Sequence, residues 1–287
     1  MTSESPWILG LEPSPRSAGA IAFARWLRVA LHARVVGVHV SEFWVFGRSP
    51  GEGAAYVRAA RAETERWLAA LVEDGGVDAA EVREALDAET ALAEVGRGAT
   101  AIVVGRRNAD ERPWVRLGRV ARRLLRSLPA PVIVVPPELA STDQGGPVLL
   151  ASDLGETSVA AARFAAAFAR RAGRSLVCVH VGQEDALAES TPQWLARRRD
   201  DRETLARTAR SWVLAHCPAA SLVLEFGSPE EVLPALAEHR RASLLVVGSR
   251  RVDLTERVFA GSVASVVASA AHCVVAVVPP DAEASLS

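Results

Sequence analysis

The chain has 287 residues, 49% of them apolar, and a formal net charge of −1. That length allows one or two domains with a sizeable core. The charge balance points to neither a nucleic-acid nor an acidic-lipid partner, and no apolar run reaches membrane-spanning length. The start, MTSESPW, has neither the basic residues nor the apolar run of a secretory leader, so a soluble cytoplasmic protein is the expectation. All 33 basic residues are arginine. Schiff-base lysines, lysine bases and the lysine of a Walker-type phosphate loop are therefore excluded. Cys178, Cys217 and Cys273 lack Cys-x-x-Cys spacing, so no disulfide framework is expected and a reducing compartment fits. Cys178 and His180 share a strand face, but no second pair completes a metal site. They read as a buried thiol and a strand-end histidine.

In chain order, residues 7–11 (WILGL) read as a strand ending at Glu12, followed by the turn-rich PSPRS. A helix is expected over 17–32, where Phe23, Trp26, Leu27 and Leu31 make one apolar face. Residues 34–40 form a second strand. Phe43, Trp44 and Phe46 then sit among turn residues and read as interdomain packing. An amphipathic helix over 54–73 buries Trp67, Leu68 and Leu71. A weak strand near Val82 and a short helix over 90–96 lead to the strongest strand of this half, AIVVG at 101–105. A helix over 118–128 and the strand VIVV at 132–135 close it at Pro136-Pro137.

Residues 138–146 are polar and turn-forming and read as a linker, giving domains 1–142 and 143–287. The order then starts again. VLLAS ends at Asp153, a helix covers 158–172, and SLVCVHV at 175–181 repeats GVHV of the first half. An arginine-rich helix covers 192–216, where Trp212 answers Trp67. A strand at 221–226, a helix over 230–240, LLVVG at 244–248, a helix opened by Gly261-Ser262, and CVVAVVPP complete the copy.

Val181 follows Val40 by 141 residues, and Gly248, Gly261 and Pro279 follow Gly105, Gly118 and Pro136 by 143. A nearly constant offset means an internal duplication, with a period too long for a solenoid, so each copy is a domain. Alternating strands and helices imply βαβ units and parallel sheets with helices on both faces. Ligands bind beyond the carboxyl ends of such strands, where Asp153, Val181, Gly227 and Gly248 stand. A strand, a glycine loop and a helix start also aim backbone N–H groups at an anion. The repeated ends, VIVVPP and VVAVVPP, are candidate edge strands meeting across a pseudo-twofold axis.

These residues carry a family likeness: both halves resemble universal stress protein domains. The nucleotide-binding branch of that family has glycine, two residues, glycine, nine residues, then glycine with serine or threonine. It also has an aspartate after the first strand and backbone contacts to adenine from the end of the second. The resemblance implies two tandem open-sheet α/β/α domains with mainly parallel five-stranded sheets of the adenine nucleotide alpha hydrolase-like kind. It also implies that the last strands pair, which puts the family's dimer contact inside one chain. In the second half it implies an adenine nucleotide site at Ala151, Ser152, Asp153, Val181, Gly248, Arg250, Arg251, Gly261, Ser262 and Val263. Arg251 stands where the second glycine is expected. It either strains the loop, changes its path, or pairs bidentately with phosphate. The first-half counterpart is degenerate: Glu12, Val40, Gly105, Asn108, Gly118 and Arg119, with glutamate for aspartate, asparagine for glycine and arginine for serine.

The resemblance further implies ATP as cofactor, accompanied by Mg²⁺ for which Ser262 offers a hydroxyl, and a protein partner of unknown identity. It leaves a homodimer of the whole chain open. No general base, metal cluster or nucleophile–base pair is evident, so turnover of ATP is expected to be slow at most. Two alternatives stand beside a nucleotide-binding stress-response module. One is a nucleotide-free scaffold of the same fold. The other is an ATP-using enzyme, which needs a Ser-Gly-Gly-rich loop where this chain has EPSPRS and DLGETS. His39 and His180 read as packed strand-end residues. The arginine runs at 106–107, 122–123, 197–199 and 250–251 read as solvated faces or partners of nearby carboxylates.

Overall fold

The structure, a computed structural model, describes residues 5–42, 52–106, 117–139, 145–182, 192–249 and 262–282. The first half contains β1 (Trp7–Leu11), α1 (Ala18–Leu31), β2 (Val35–Glu42), α2 (Glu52–Glu73), β3 (Ala79–Ala85), α3 (Ala88–Gly96), β4 (Ala101–Gly105), α4 (Arg119–Ser127) and β5 (Val132–Val135). The second repeats the order with β6 (Val148–Ala151), α5 (Val159–Arg171), β7 (Leu176–Gly182), α6 (Pro192–His216), β8 (Ser221–Phe226), α7 (Pro229–His239), β9 (Leu244–Gly248), α8 (Val263–Ala270) and β10 (Val274–Val278). The faint strand near Val82 is a full strand, pairing in parallel with β2 over seven residues. It is an edge strand with Ala79, Arg83 and Glu84 exposed and only Ala80 and Val82 packed against the core, so it carries no apolar run.

The two expected five-stranded sheets are one ten-stranded sheet, ordered β3-β2-β1-β4-β5-β10-β9-β6-β7-β8. Every neighbouring pair is parallel except β5 and β10, which are antiparallel with Val132, Ile133 and Val134 opposite Val277, Ala276 and Val275. The VIVV and VVAVV edges therefore close on each other within the chain.

Alternation along these doubly buried strands sends residues to two cores. Leu9, Val103, Ile133, Leu150, Val246 and Ala276 face one, where α1, α2, α5 and α6 pack. Ile8, Ile102, Val134, Leu149, Leu245 and Val275 face the other, under α3, α4, α7 and α8. Both cores run through both halves. Phe168 of α5 meets Trp7 edge-on at 6.3 Å and stacks on Trp26 at 5.8 Å. Trp212 is buried in this same layer, whereas Trp67 is only partly covered.

Arginines join the halves as well. Arg171 donates to the Leu31 carbonyl at 2.5 Å, satisfying the end of α1. Arg106, expected to be solvated or paired with a nearby carboxylate, is 4% exposed and stands 3.9 Å from Glu138. It donates to the Ser269 and Ala271 carbonyls at 2.9 and 2.7 Å, so it caps the carboxyl end of α8 across the seam. That cap explains its burial: the acceptors are main-chain groups of the other half. Phe43, Trp44 and Phe46 lie outside the described residues.

The cysteines are free and buried. Cys178 shares a hydrogen bond with Cys217 that, together with burial, pushes its thiol up. Burial pushes Cys273 up to about 12.

Two outcomes follow from this packing. Phe168→Ala empties the centre of the aromatic cluster and is expected to cost about 3–5 kcal/mol, read by urea unfolding. The Cys273 thiol ionises near 9.0 when unconstrained but only near 12 in the fold. Its native value is raised, so the stability it supports is present below about pH 9 and declines as pH rises towards 12. Cys273→Ala should remove a slope of up to about 1.4 kcal/mol per pH unit in that window, measured by urea melts at pH 8, 9 and 10.

Candidate functional site

Each half carries a cavity at the carboxyl ends of its strands, beside the point where the strand order reverses between the first and fourth strands. The second-half cavity, about 490 Å³, gathers Ala151, Ser152, Asp153, Val181, Gly248, Ser262 and Val263. Seven of the ten residues expected there thus meet at one place. Arg250, Arg251 and Gly261 lie outside the described residues.

The floor of this cavity is apolar: Val179, Val181, Leu233 and Val247. Asp153 stands at its rim, held by its own turn. Its Oδ1 accepts from Gly155 N at 2.9 Å and from Ser158 Oγ at 2.7 Å. Leu154 between them is left-handed, with φ of 63°, a conformation costly for a side chain of this size. Its N–H donates to Ser152 Oγ at 2.9 Å. Across the cavity Ser262 caps α8, its Oγ accepting from Ser265 N at 3.3 Å. The first-turn amides of α8 have no acceptor within the helix, which is the electrostatic setting for an anion.

His180 also lines the cavity, and its Nδ1 lies 2.9 Å from the Ser152 carbonyl. A carbonyl only accepts, so Nδ1 carries the proton and a neutral ring keeps Nε2 as an acceptor. Sequence reasoning missed this residue and Thr157, Ser158, Leu233 and Ser249 as lining groups. One signal was available. His39, Ser17 and Leu92 precede His180, Ser158 and Leu233 by the same 141 residues that separate Val40 from Val181.

The first-half cavity is larger, about 680 Å³, and gathers Glu12, Val40, Gly105, Gly118 and Arg119. Asn108 lies outside the described residues. Val38, Val40, Leu92 and Val104 repeat the apolar floor, and His39 Nδ1 meets the Leu11 carbonyl at 3.0 Å as His180 meets Ser152. The rim differs. Ser17 donates to the Glu12 main-chain carbonyl at 2.8 Å, and the Glu12 carboxylate reaches Arg16 at 3.9 Å. Arg119, at the head of α4, pairs with Glu42 and stands 3.8 Å from Glu89. Glu42 also accepts from Ala88 N at 3.0 Å, at the start of α3. Glu89, with its side chain 8% exposed, pairs with Arg123 too, and both its oxygens are met by ion pairs alone. Like unit charges 4 Å apart repel by about 4 kcal/mol at an effective dielectric of 20, so these carboxylates matter to any anion approaching α4.

Gly105 and Gly248 have a local reason to be glycine. A Cβ at Gly105 would lie 3.0 Å from the Arg16 carbonyl oxygen, and one at Gly248 3.2 Å from that of Thr157. Both strand ends press against the backbone of the turn that follows the first strand of their half. Among the described residues no group of three or more His, Cys, Asp and Glu is placed to hold a metal, and no helix is long and apolar enough to cross a membrane.

Two copies of an open α/β sheet, joined through their fifth strands and each with a cavity at its switch point, define a tandem α/β protein. A profile of the universal stress protein family matches residues 8–136 and 146–279. The chain belongs to the universal stress protein family, as a tandem member. It is 31% identical over 202 residues to a universal stress protein of Mycolicibacterium smegmatis, covering 70% of this chain and 68% of that one. Its fold is similar to that of a universal stress protein from Archaeoglobus fulgidus, with TM-score 0.71, 18% identity, and 97% and 100% of the two chains covered. It is also similar to a protein of unknown function from Pseudomonas aeruginosa PAO1, with TM-score 0.66, 19% identity and 96% and 94% covered.

Proposed function

We propose that the chain is a stress-response binding module that takes ATP or a related adenine nucleotide in its second-half cavity and acts in the cytoplasm as a sensor or interaction partner. One observation carries the reading. An apolar slot, a carboxylate and a serine-capped helix start converge on one cavity at the strand ends. The slot suits the faces of a purine. Asp153 has lone pairs for the ribose hydroxyls, and the head of α8 suits the phosphates. Mg²⁺ fits this donor set only as a companion of the phosphates, with the Ser262 hydroxyl the protein ligand in reach and water completing its shell. When bound, it would neutralise phosphate charge. The role is binding rather than turnover.

A second reading, a nucleotide-free scaffold, is favoured by one feature. The Asp153 carboxylate is already engaged by Gly155 and Ser158.

Thermal and urea unfolding with ATP, with and without Mg²⁺, separate the two. At a free ATP concentration about 100 times its Kd, binding stabilises the native chain by about 2.7 kcal/mol. Val181→Trp fills the slot and should abolish that gain while the chain still folds. No gain at millimolar ATP under either condition would establish the scaffold instead.

A further inference from the structure

We propose that the first-half cavity is a second ligand site with a different preference: it takes an uncharged purine nucleoside or base and refuses the phosphorylated forms. The proposal rests on the reading above for the nature of the slot, and departs from it at the anion end.

The two cavities share what recognises a flat heterocycle. Val38, Val40, Leu92 and Val104 stand where the second half has Val179, Val181, Leu233 and Val247. The histidine is repeated with its Nδ1 beside the main-chain carbonyl at the end of the first strand of its half, Leu11 or Ser152, so each cavity is lined by the same ring in the same setting. The first cavity is also the roomier.

The difference that bears on phosphate lies at the head of the helix, because the other arginines lining the first cavity are engaged: Arg16 with Glu12, Arg61 with Glu65 and Glu84, and Arg106 with the Ser269 and Ala271 carbonyls. Ser262, which caps α8 with its hydroxyl, is replaced at the equivalent step by Arg119. An arginine alone would attract phosphate, but this one is neutralised by Glu42 and Glu89. Glu42 is itself held in place by the Ala88 amide, and Glu89 by Arg123. An incoming phosphate must displace Glu42 from two partners and then stand beside a carboxylate that is almost fully buried. A nucleoside meets no such obstacle. At the other rim, Ser17 holds the main chain of Glu12 rather than its carboxylate, which leaves that carboxylate turned to solvent, where ribose hydroxyls can reach it.

The test counts sites on the full chain by equilibrium dialysis with adenosine and with ATP·Mg²⁺, folding being checked by circular dichroism. The wild-type chain should bind two adenosines and one ATP. Val40→Trp should bind one of each, and Val181→Trp one adenosine and no ATP. Glu42→Gln with Glu89→Gln, added to Val181→Trp, should create one ATP site where Val181→Trp alone has none, a gain in apparent affinity of at least tenfold. This last comparison leaves the first slot unfilled and so holds even where Val40→Trp does not fold. Two ATP per wild-type chain, or a wild-type chain that binds only one adenosine and keeps it in Val40→Trp, would overturn the proposal. A wild-type chain that binds no ATP while Val181→Trp still binds one adenosine would count against the nucleotide reading of the second half and leave this one standing.

Discussion

The antiparallel pairing of β5 with β10 is the constraint on which the rest of the molecule depends. Each half ends in a short apolar run, VIVV or VVAVV, closed by two prolines, and an open sheet edge of that composition invites pairing with another chain. Here the two edges satisfy each other, and a single sheet results. Because the join is edge to edge, the helical layers also become continuous. Phe168 of one half then packs on Trp7 and Trp26 of the other, and the halves share two cores instead of owning four. The same join explains the burial of Arg106. A guanidinium leaves water only where hydrogen bonds replace it, and the carbonyls at the end of α8 supply them.

Fusion within one chain also frees the two sites to diverge. In a symmetric pair of identical chains every substitution appears in both cavities. After duplication each position has two independent copies. The apolar floors and histidines have stayed alike, and they serve the packing of strand ends as well as any ligand. The heads of α4 and α8 have not stayed alike. One carries a serine cap with helix amides behind it, and the other an arginine with two glutamates attached. The first-loop turns differ for a backbone reason as well. Leu154 takes a left-handed conformation, while Pro13 at the same step has its φ locked near −65°. The Asp153 turn therefore cannot be reproduced around Glu12.

Most of the architecture was legible because buried parallel strands are written as apolar runs and the pattern occurs twice. WILGL, AIVVG, VIVV and LLVVG each became a strand at the expected residues. The edge strand β3 was only faint because solvent exposure removes the apolar run that marks a strand. The second-half site was legible through residues that recur at fixed offsets. The ion pairs that reshape the first were not, since Glu42 and Arg119 lie 77 residues apart and nothing local links them. For Arg106 a carboxylate partner was legible and is Glu138, but its main-chain acceptors, 163 and 165 residues further along, were not.

The glycines call for a separate argument, because they carry much of the family signature. Gly248 and Gly105 are both retained, which invites the inference that both loops still bind an anion. The structure removes that inference. At each position a Cβ would press on the carbonyl of the turn after the first strand, whether or not anything is bound. The close approach of the two backbone segments is part of how the strand end packs, so the fold has its own reason to favour glycine there. What separates a phosphate cradle from an inherited loop is instead the group presented at the head of the following helix. Ser262 offers a hydroxyl beside helix amides that no other residue of the helix can satisfy. Arg119 offers a charge already paired with Glu42 and close to Glu89, so under the proposed reading position 119, more than 105, sets what the first cavity would hold.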